Sequence, residues 1–309
     1  MGVMIDGVYQ AEDPGPDTTA GGQFVRARSS LRDTALAPEP ERYHLYVAWN
    51  CPWAHRALLV RAALGLEAMT ISVAKPARTE QGWVFGTDGP FADPLLGAAS
   101  LHEVYARQRP RYTGRITVPV LWDKTEGQIV NNESADIARL LSEVFDPQRR
   151  LIPAQHLDQI DQWNDHIHKT VNNGVYRAGF ARTQEAYTEA VQALFDALDG
   201  LEAHLAQNQT LVGHQVTEAD LRLFPTLARF DVAYHYAFKC NIRKLSDYPA
   251  LWDYARALYA LPGVAETVKL DIYKSGYFSK SELRNPLGIV PAGPSVDWSA
   301  APARHLSWP

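Results

Sequence analysis

Residues 50–56 read Asn-Cys-Pro-Trp-Ala-His-Arg. Cys51 follows an apolar run, and Pro52 stands where a helix would open, because proline has no N–H to leave unpaired and its fixed φ suits a first turn. A thiol at a helix amino end meets partial positive charge and unpaired N–H groups, which favour the thiolate, the nucleophilic form. A dithiol motif would carry a second cysteine three residues on, but that position is Ala54. The chemistry expected of Cys51 is thiol transfer in which the resolving thiol arrives on a separate molecule. Cys240, in Phe-Lys-Cys-Asn, is expected to pack as a small apolar residue. Two cysteines cannot make a disulfide framework, so a reducing cytoplasm is the expected setting.

Two other stretches bear on which thiol that is. Val118-Pro119 opens a strand, and in thioredoxin-like folds such a proline is cis and faces the cysteine, leaving the preceding backbone open to pair with a peptide like an added strand. Asn131-Asn132-Glu133-Ser134 closes one strand and opens a helix. Ser134 and the helix amino terminus can receive a carboxylate, and Glu133 can accept from an ammonium. Glutathione carries both groups on its γ-glutamyl end and a thiol in the middle, so it fits such a groove. Each feature also has a plainer reading: Cys51 as a buried small residue, Pro119 as a strand start, Glu133-Ser134 as a helix cap.

The elements that must position these groups follow from periodicity. Residues 44–50 form a continuous apolar strand of the kind buried on both faces, 52–65 a helix ending at Gly65, and 69–75 a second strand, which together imply a right-handed parallel crossover. Residues 76–115, rich in Gly, Pro and Arg, read as one long connection. Residues 116–123 and 127–132 read as a hairpin, and 133–145 as a helix with Ile137, Leu140, Leu141 and Val144 on one face. This β-α-β, loop, β-β-α order is thioredoxin-like. From about 155 to 275 the periods are helical, with an apolar stripe at Tyr187, Val191, Leu194, Leu198, Leu201 and Leu205 and an amino cap at Thr217 paired with Asp220. The expected organisation is a lead-in over 1–43, a thioredoxin-like glutathione-binding domain over 44–147, an all-α domain over 148–275 and a tail over 276–309.

Composition narrows the classes. The 309 residues carry a net charge of −5 and are 46% hydrophobic, which gives no general affinity for nucleic acid or anionic membranes. No apolar run reaches membrane-spanning length, and the first residues lack a secretory pattern. His166-Ile167-His168 places its rings on diverging sides of a helix, and no third ligand has useful spacing, so no metal is expected.

At these residues the chain resembles the glutathionyl-hydroquinone reductases, also called xi-class glutathione transferases. The resemblance runs through residues 50–56, 82–85, 112–123 (Tyr-Thr-Gly-Arg-Ile-Thr-Val-Pro-Val-Leu-Trp-Asp), 129–137, 172–181, 217–231, 238–241 and Tyr277 with 285–294, in order over nearly the whole chain. It implies a thioredoxin-like domain plus an all-helical domain, as a homodimer, with the tail packed near the active site. It implies reduction of glutathionyl-hydroquinones to hydroquinones, with glutathione as co-substrate released as its disulfide. Carried over by position, Cys51 is the nucleophile; Trp83, Arg115, Ile116, Thr117, Val118, Glu133 and Ser134 hold glutathione; Tyr176 is the proton donor; Tyr234 and Tyr277 help keep the sulfur ionised. Outside the resemblance, Trp83 is a lid residue, Arg115 a solvated charge and the three tyrosines core or rim residues. Gly276-Tyr277-Phe278 departs from the family's His-Tyr-Tyr run, which alters the shape and polarity expected at the quinone end.

Two other functions fit the same residues. One is a conjugating or reductively dehalogenating transferase acting on chlorinated hydroquinones, which product analysis separates from the reductase. The other is a non-enzymatic transferase-like binding module, which has no use for an activated thiol at position 51.

Overall fold

The structure is a computed structural model that describes residues 2–11, 17–26, 29–282 and 284–309; the rest of the 1–43 lead-in lies outside the described residues. The lead-in contributes two short hairpins, β1 (Val3–Ile5) with β2 (Val8–Gln10) and β3 (Asp17–Thr18) with β4 (Phe24–Val25). Among the described residues, 2–11 and 29–145 make one compact unit, and 17–26 with 146–309 make a second.

In the first unit the apolar run becomes β5 (Tyr43–Val47), buried at every position. It ends three residues before the strand read from sequence, because the chain turns there: the Cys51 N–H donates to Ala48 O at 3.0 Å, and Asn50 Nδ2 donates to Pro76 O at 3.1 Å. Then come α1 (Pro52–Ala63), β6 (Thr70–Val73), α2 (Leu101–Gln108), β7 (Gly114–Arg115), β8 (Val120–Asp123), β9 (Gln128–Asn131) and α3 (Ser134–Val144). The four-stranded sheet has the order β6-β5-β8-β9, with β5 and β6 parallel and the other pairs antiparallel. Helix α1 is buried almost all round and packs on the amphipathic α3, as a central helix must. β7 joins β1 and β2 in a small separate sheet.

The long connection over 76–115 contains a helix that sequence reading did not recognise. In α2, Leu101, Val104 and Tyr105 are buried, the i, i+3, i+4 pattern of one helix face. Ser100 precedes them and Glu103 lies three on, and the Ser100 hydroxyl donates to Glu103 Oε1 at 2.8 Å. That capping pair was legible; the surrounding Gly, Pro and Arg outweighed it. Helix α2 closes the sheet edge, since the Gln108 side-chain amide bonds both the N–H and the C=O of Ile129 on β9, at 3.0 and 3.2 Å. The segment around Arg32 also runs beside β9, with Asp33 N–H donating to Val130 O and Asn132 N–H to Leu31 O.

The second unit is helical: α4 (Leu157–Ile167), α5 (Gly174–Gly179), α6 (Gln184–Leu205), α7 (Glu218–Leu227), the one-turn α8 (His235–Ala237), α9 (Pro249–Tyr259) and α10 (Leu270–Tyr277). The stripe expected on α6 is buried from Val191 to Leu205, while Tyr187 is half-buried and donates to Lys239 O at 2.7 Å. Thr217 and Asp220 form the expected cap, with the Thr217 N–H donating to Asp220 Oδ2 at 2.7 Å. Two segments wind with a wider π turn, His168–Asn172 ahead of α5 and Phe230–Tyr234 ahead of α8. The tail packs on this unit through Trp298, whose ring meets Trp252 and Tyr259 at 4.8 and 5.5 Å between centroids.

Candidate active site

Cys51 is the amino cap of α1, half-exposed, with its carbonyl accepting from the His55 N–H at 3.1 Å. Its Sγ lies 3.6 Å from Val118 O, and the Val118-Pro119 bond is cis. The thiol therefore sits against the backbone on which a peptide could pair. The strand read over 116–123 begins only at Val120, because Thr117 O is taken by the Tyr105 hydroxyl at 2.9 Å rather than by a neighbouring strand.

Tyr105 is a site residue the sequence reading missed. Its hydroxyl also accepts from Asn132 Nδ2 at 3.0 Å, so one phenol on α2 ties the loop before Pro119 to the end of β9, one residue ahead of Glu133. Burial pushes its phenol up to about 12, and it serves as a neutral hydrogen-bonding group.

Glu133 and Ser134 open α3. The Glu133 carboxylate accepts from the Ala135 N–H at 3.3 Å and from the Ser134 and Ser29 hydroxyls at 3.4 and 2.9 Å. The plain capping role is thus real. It does not exhaust a carboxylate, whose two oxygens can accept about four hydrogen bonds.

Trp83 is held near the same end of the sheet by backbone bonds. Lys75 N–H donates to Val84 O and Leu101 N–H to Trp83 O, both at 2.8 Å, and Lys75 adjoins the Pro76 carbonyl that Asn50 holds. The Trp83 ring is 3% exposed, with the Arg78 guanidinium 4.2 Å above it. Its indole N–H is buried and meets no acceptor among the described residues. Arg115 is half-buried on β7 beside Val3, and Ile116 is buried.

In the second unit the structure gathers the three tyrosines that fall far apart in sequence. The Tyr277 hydroxyl lies 3.0 Å from that of Tyr176 and 3.0 Å from that of Tyr234. Burial, reinforced by the neighbouring phenols, raises Tyr234 and Tyr277 well above the usual tyrosine range, so both are neutral. Phe180 and Phe238 complete the aromatic cluster, and Gly179 leaves no room for a Cβ against the Phe238 ring. Cys240 is fully buried, with burial pushing its thiol up. His168 Nε2 faces Asn173 Nδ2 at 3.0 Å while His166 lies against Trp163; no cluster of three or more metal-ligating side chains occurs among the described residues.

A cysteine-capped helix beside a Val-Pro backbone, on a four-stranded thioredoxin-like sheet, defines the glutathione transferase class. The family models for the glutathione S-transferase N-terminal and C-terminal domains match residues 50–144 and 184–257. The chain is 48% identical to glutathionyl-hydroquinone reductase PcpF of Sphingobium chlorophenolicum, over 96% of this chain and 97% of that one. It is 44% identical to glutathionyl-hydroquinone reductase YqjG of Escherichia coli (strain K12), over 96% of each chain. The glutathione-bound structure of YqjG superposes with a TM-score of 0.85 over 97% of this chain and 98% of that one. The glutathione S-transferase Xi from Phanerochaete chrysosporium, 42% identical, superposes with a TM-score of 0.86 over 92% of this chain and 97% of that one. The chain belongs to the xi-class glutathione transferases, the glutathionyl-hydroquinone reductase family.

Proposed function

We propose that this protein reduces glutathionyl-hydroquinones to hydroquinones, with Cys51 as the nucleophile and glutathione as co-substrate. The observation that carries the reading is the Cys51 sulfur 3.6 Å from Val118 O: a tripeptide paired to the Val118 backbone would lay its cysteinyl sulfur beside that thiol. The unpartnered Trp83 N–H, the spare acceptor capacity of Glu133, the α3 amino terminus with Ser134, and the Arg115–Thr117 segment supply complementary groups for the tripeptide.

Cys51 thiolate attacks the glutathione sulfur of the adduct. The sulfur–sulfur bond forms, the sulfur–aryl bond breaks, and its electron pair stays on the ring carbon, which takes a proton from Tyr176. The products are a Cys51–glutathione mixed disulfide, free hydroquinone and a Tyr176 phenolate. A second glutathione gives up its thiol proton, which restores the phenol, and its thiolate attacks the mixed disulfide to release glutathione disulfide and Cys51 thiolate. Three hydroxyls linked by two hydrogen bonds have one proton to spare. With Tyr234 donating to Tyr277 and Tyr277 to Tyr176, the spare proton is that of Tyr176, and the same chain then donates to the phenolate. In this reading Tyr234 and Tyr277 act on Tyr176 as well as on the sulfur.

The test is a single turnover followed by intact-mass spectrometry. One glutathione on Cys51, with hydroquinone and glutathione disulfide as final products, is the expected result. Consumption of the adduct without glutathione disulfide would favour the conjugating or dehalogenating reading instead. The reaction draws on free glutathione and so suits a reducing cytoplasm; it needs no metal, and chelation is expected to leave the rate unchanged. The homodimer that the family resemblance implies is checked by light scattering.

A further inference from the structure

We propose that Arg26 is a positioning residue for the proton-transfer step: its guanidinium over the Tyr176 ring stabilises the negative charge left on that phenol when its proton goes to the departing hydroquinone. This rests on the reading of Tyr176 as the donor.

Arg26 follows β4, in the part of the lead-in that belongs to the helical unit. Its Cζ lies 4.7 Å from the centroid of the Tyr176 ring and 5.3 Å from that of Phe24. Its Nε donates to Asn173 Oδ1 at 2.6 Å. Asn173 Nδ2 faces His168 Nε2 at 3.0 Å, and with the amide nitrogen turned to the imidazole its oxygen is turned to the arginine. The stretch Asn173-Gly174-Val175-Tyr176 thus supplies both the phenol and the clamp for the cation above it. Arg26 is half-buried, so its charge is less screened than at the surface.

A neutral phenol offers a cation only its ring quadrupole. A phenolate delocalises a full charge into the same ring, so the attraction grows as the proton leaves. An interaction that strengthens along the reaction lowers the barrier, whereas one of constant strength would not. Other groups bearing on Tyr176 and its partners include the Tyr277 and Tyr234 hydroxyls, Arg229, whose charge acts on Tyr234 and Tyr277, and Arg284 over the Phe180 and Phe238 rings.

The test pairs Arg26→Gln with Arg26→Lys in the full chain. Arg26→Gln is expected to lower kcat for a glutathionyl-hydroquinone by about three- to thirtyfold, with KM for glutathione unchanged. Arg26→Lys, which keeps the charge, is expected to recover part of the loss. In a Tyr176→Phe background, Arg26→Gln should add nothing. With tyrosine labelled at 13Cζ, the Tyr176 resonance of Arg26→Gln should titrate at higher pH than that of the parent. An equal loss in the Tyr176→Phe background, or an unmoved titration, overturns the proposal. Full turnover by Tyr176→Phe alone would remove the donor reading, and the titration would still decide whether Arg26 stabilises the phenolate.

Discussion

In the proposed reaction a single sulfur and a single phenol divide the chemistry between them, and each can be removed alone. Cys51→Ala takes away the thiol proposed to hold glutathione as a disulfide and leaves Cys240, which is buried, so turnover should fall by about three orders of magnitude or more, checked by hydroquinone release. Cys51→Ser should do the same while remaining able to bind glutathione, because a hydroxyl cannot form the mixed disulfide. Tyr277 joins the other two phenols. Tyr277→Phe interrupts the hydrogen-bond chain without disturbing the rings, and kcat should drop about five- to tenfold with KM for glutathione held. A change in KM alone would show that Tyr277 serves binding and not the proton. Cys51 was legible as a helix-capping thiol because its place before Pro52 carries that reading. The tyrosines were not legible by themselves, because a phenol in a helical stretch is ordinarily a core or rim residue.

At the scale of elements, α2 ties the loop before Pro119 to the end of β9, two parts of the proposed glutathione groove. Tyr105 bridges Thr117 O and Asn132 Nδ2, so Tyr105→Phe leaves a buried acceptor and a buried donor without that partner. The expected cost is about 1–3 kcal/mol of stability, seen in chemical denaturation, together with a raised KM for glutathione. An unchanged KM at reduced stability would confine Tyr105 to a structural role. Sequence reading passed over this helix because eight residues are too few for periodicity to outweigh the Gly-, Pro- and Arg-rich chain around it. The Ser100–Glu103 pair was the signal available. The strand at 43–47, the α1 start at Pro52 and the α3 start at Ser134 were legible because apolar runs, proline and capping residues act locally.

At the scale of the first unit as a whole, stability is tied to pH through a buried network. His44 lies between the Thr70 and Ser72 hydroxyls at 2.7 and 2.8 Å, and Ser72 donates to Asp93 at 2.6 Å. Asp93 in turn accepts from the backbone N–H groups of Leu95, Leu96 and Ala98, which ties the loop after Trp83 to the sheet. Burial lowers the His44 imidazole from 6.5 to about 4, against the opposing pull of Asp93. The folded state therefore prefers neutral His44. Its contribution is complete above the unfolded value and is lost as pH falls from 6.5 toward 4, at a slope of up to about 1.4 kcal/mol per pH unit. Urea denaturation across that window should show the slope, and His44→Asn should flatten it; an identical slope in the variant would assign the effect to other groups. No helix among the described residues is long and apolar enough to cross a membrane.

The sequence by itself determined the βαβ start, the helical second half and the cysteine at a helix cap, because each depends on neighbours within a few residues. Tertiary structure alone decided that Tyr176, Tyr234 and Tyr277 share hydrogen bonds, that Tyr105 ties Thr117 to Asn132, and that Arg26 from the lead-in stacks on Tyr176. Those contacts join residues from a dozen to 150 positions apart. No local preference for helix, strand or turn encodes which distant side chains will meet when their elements pack.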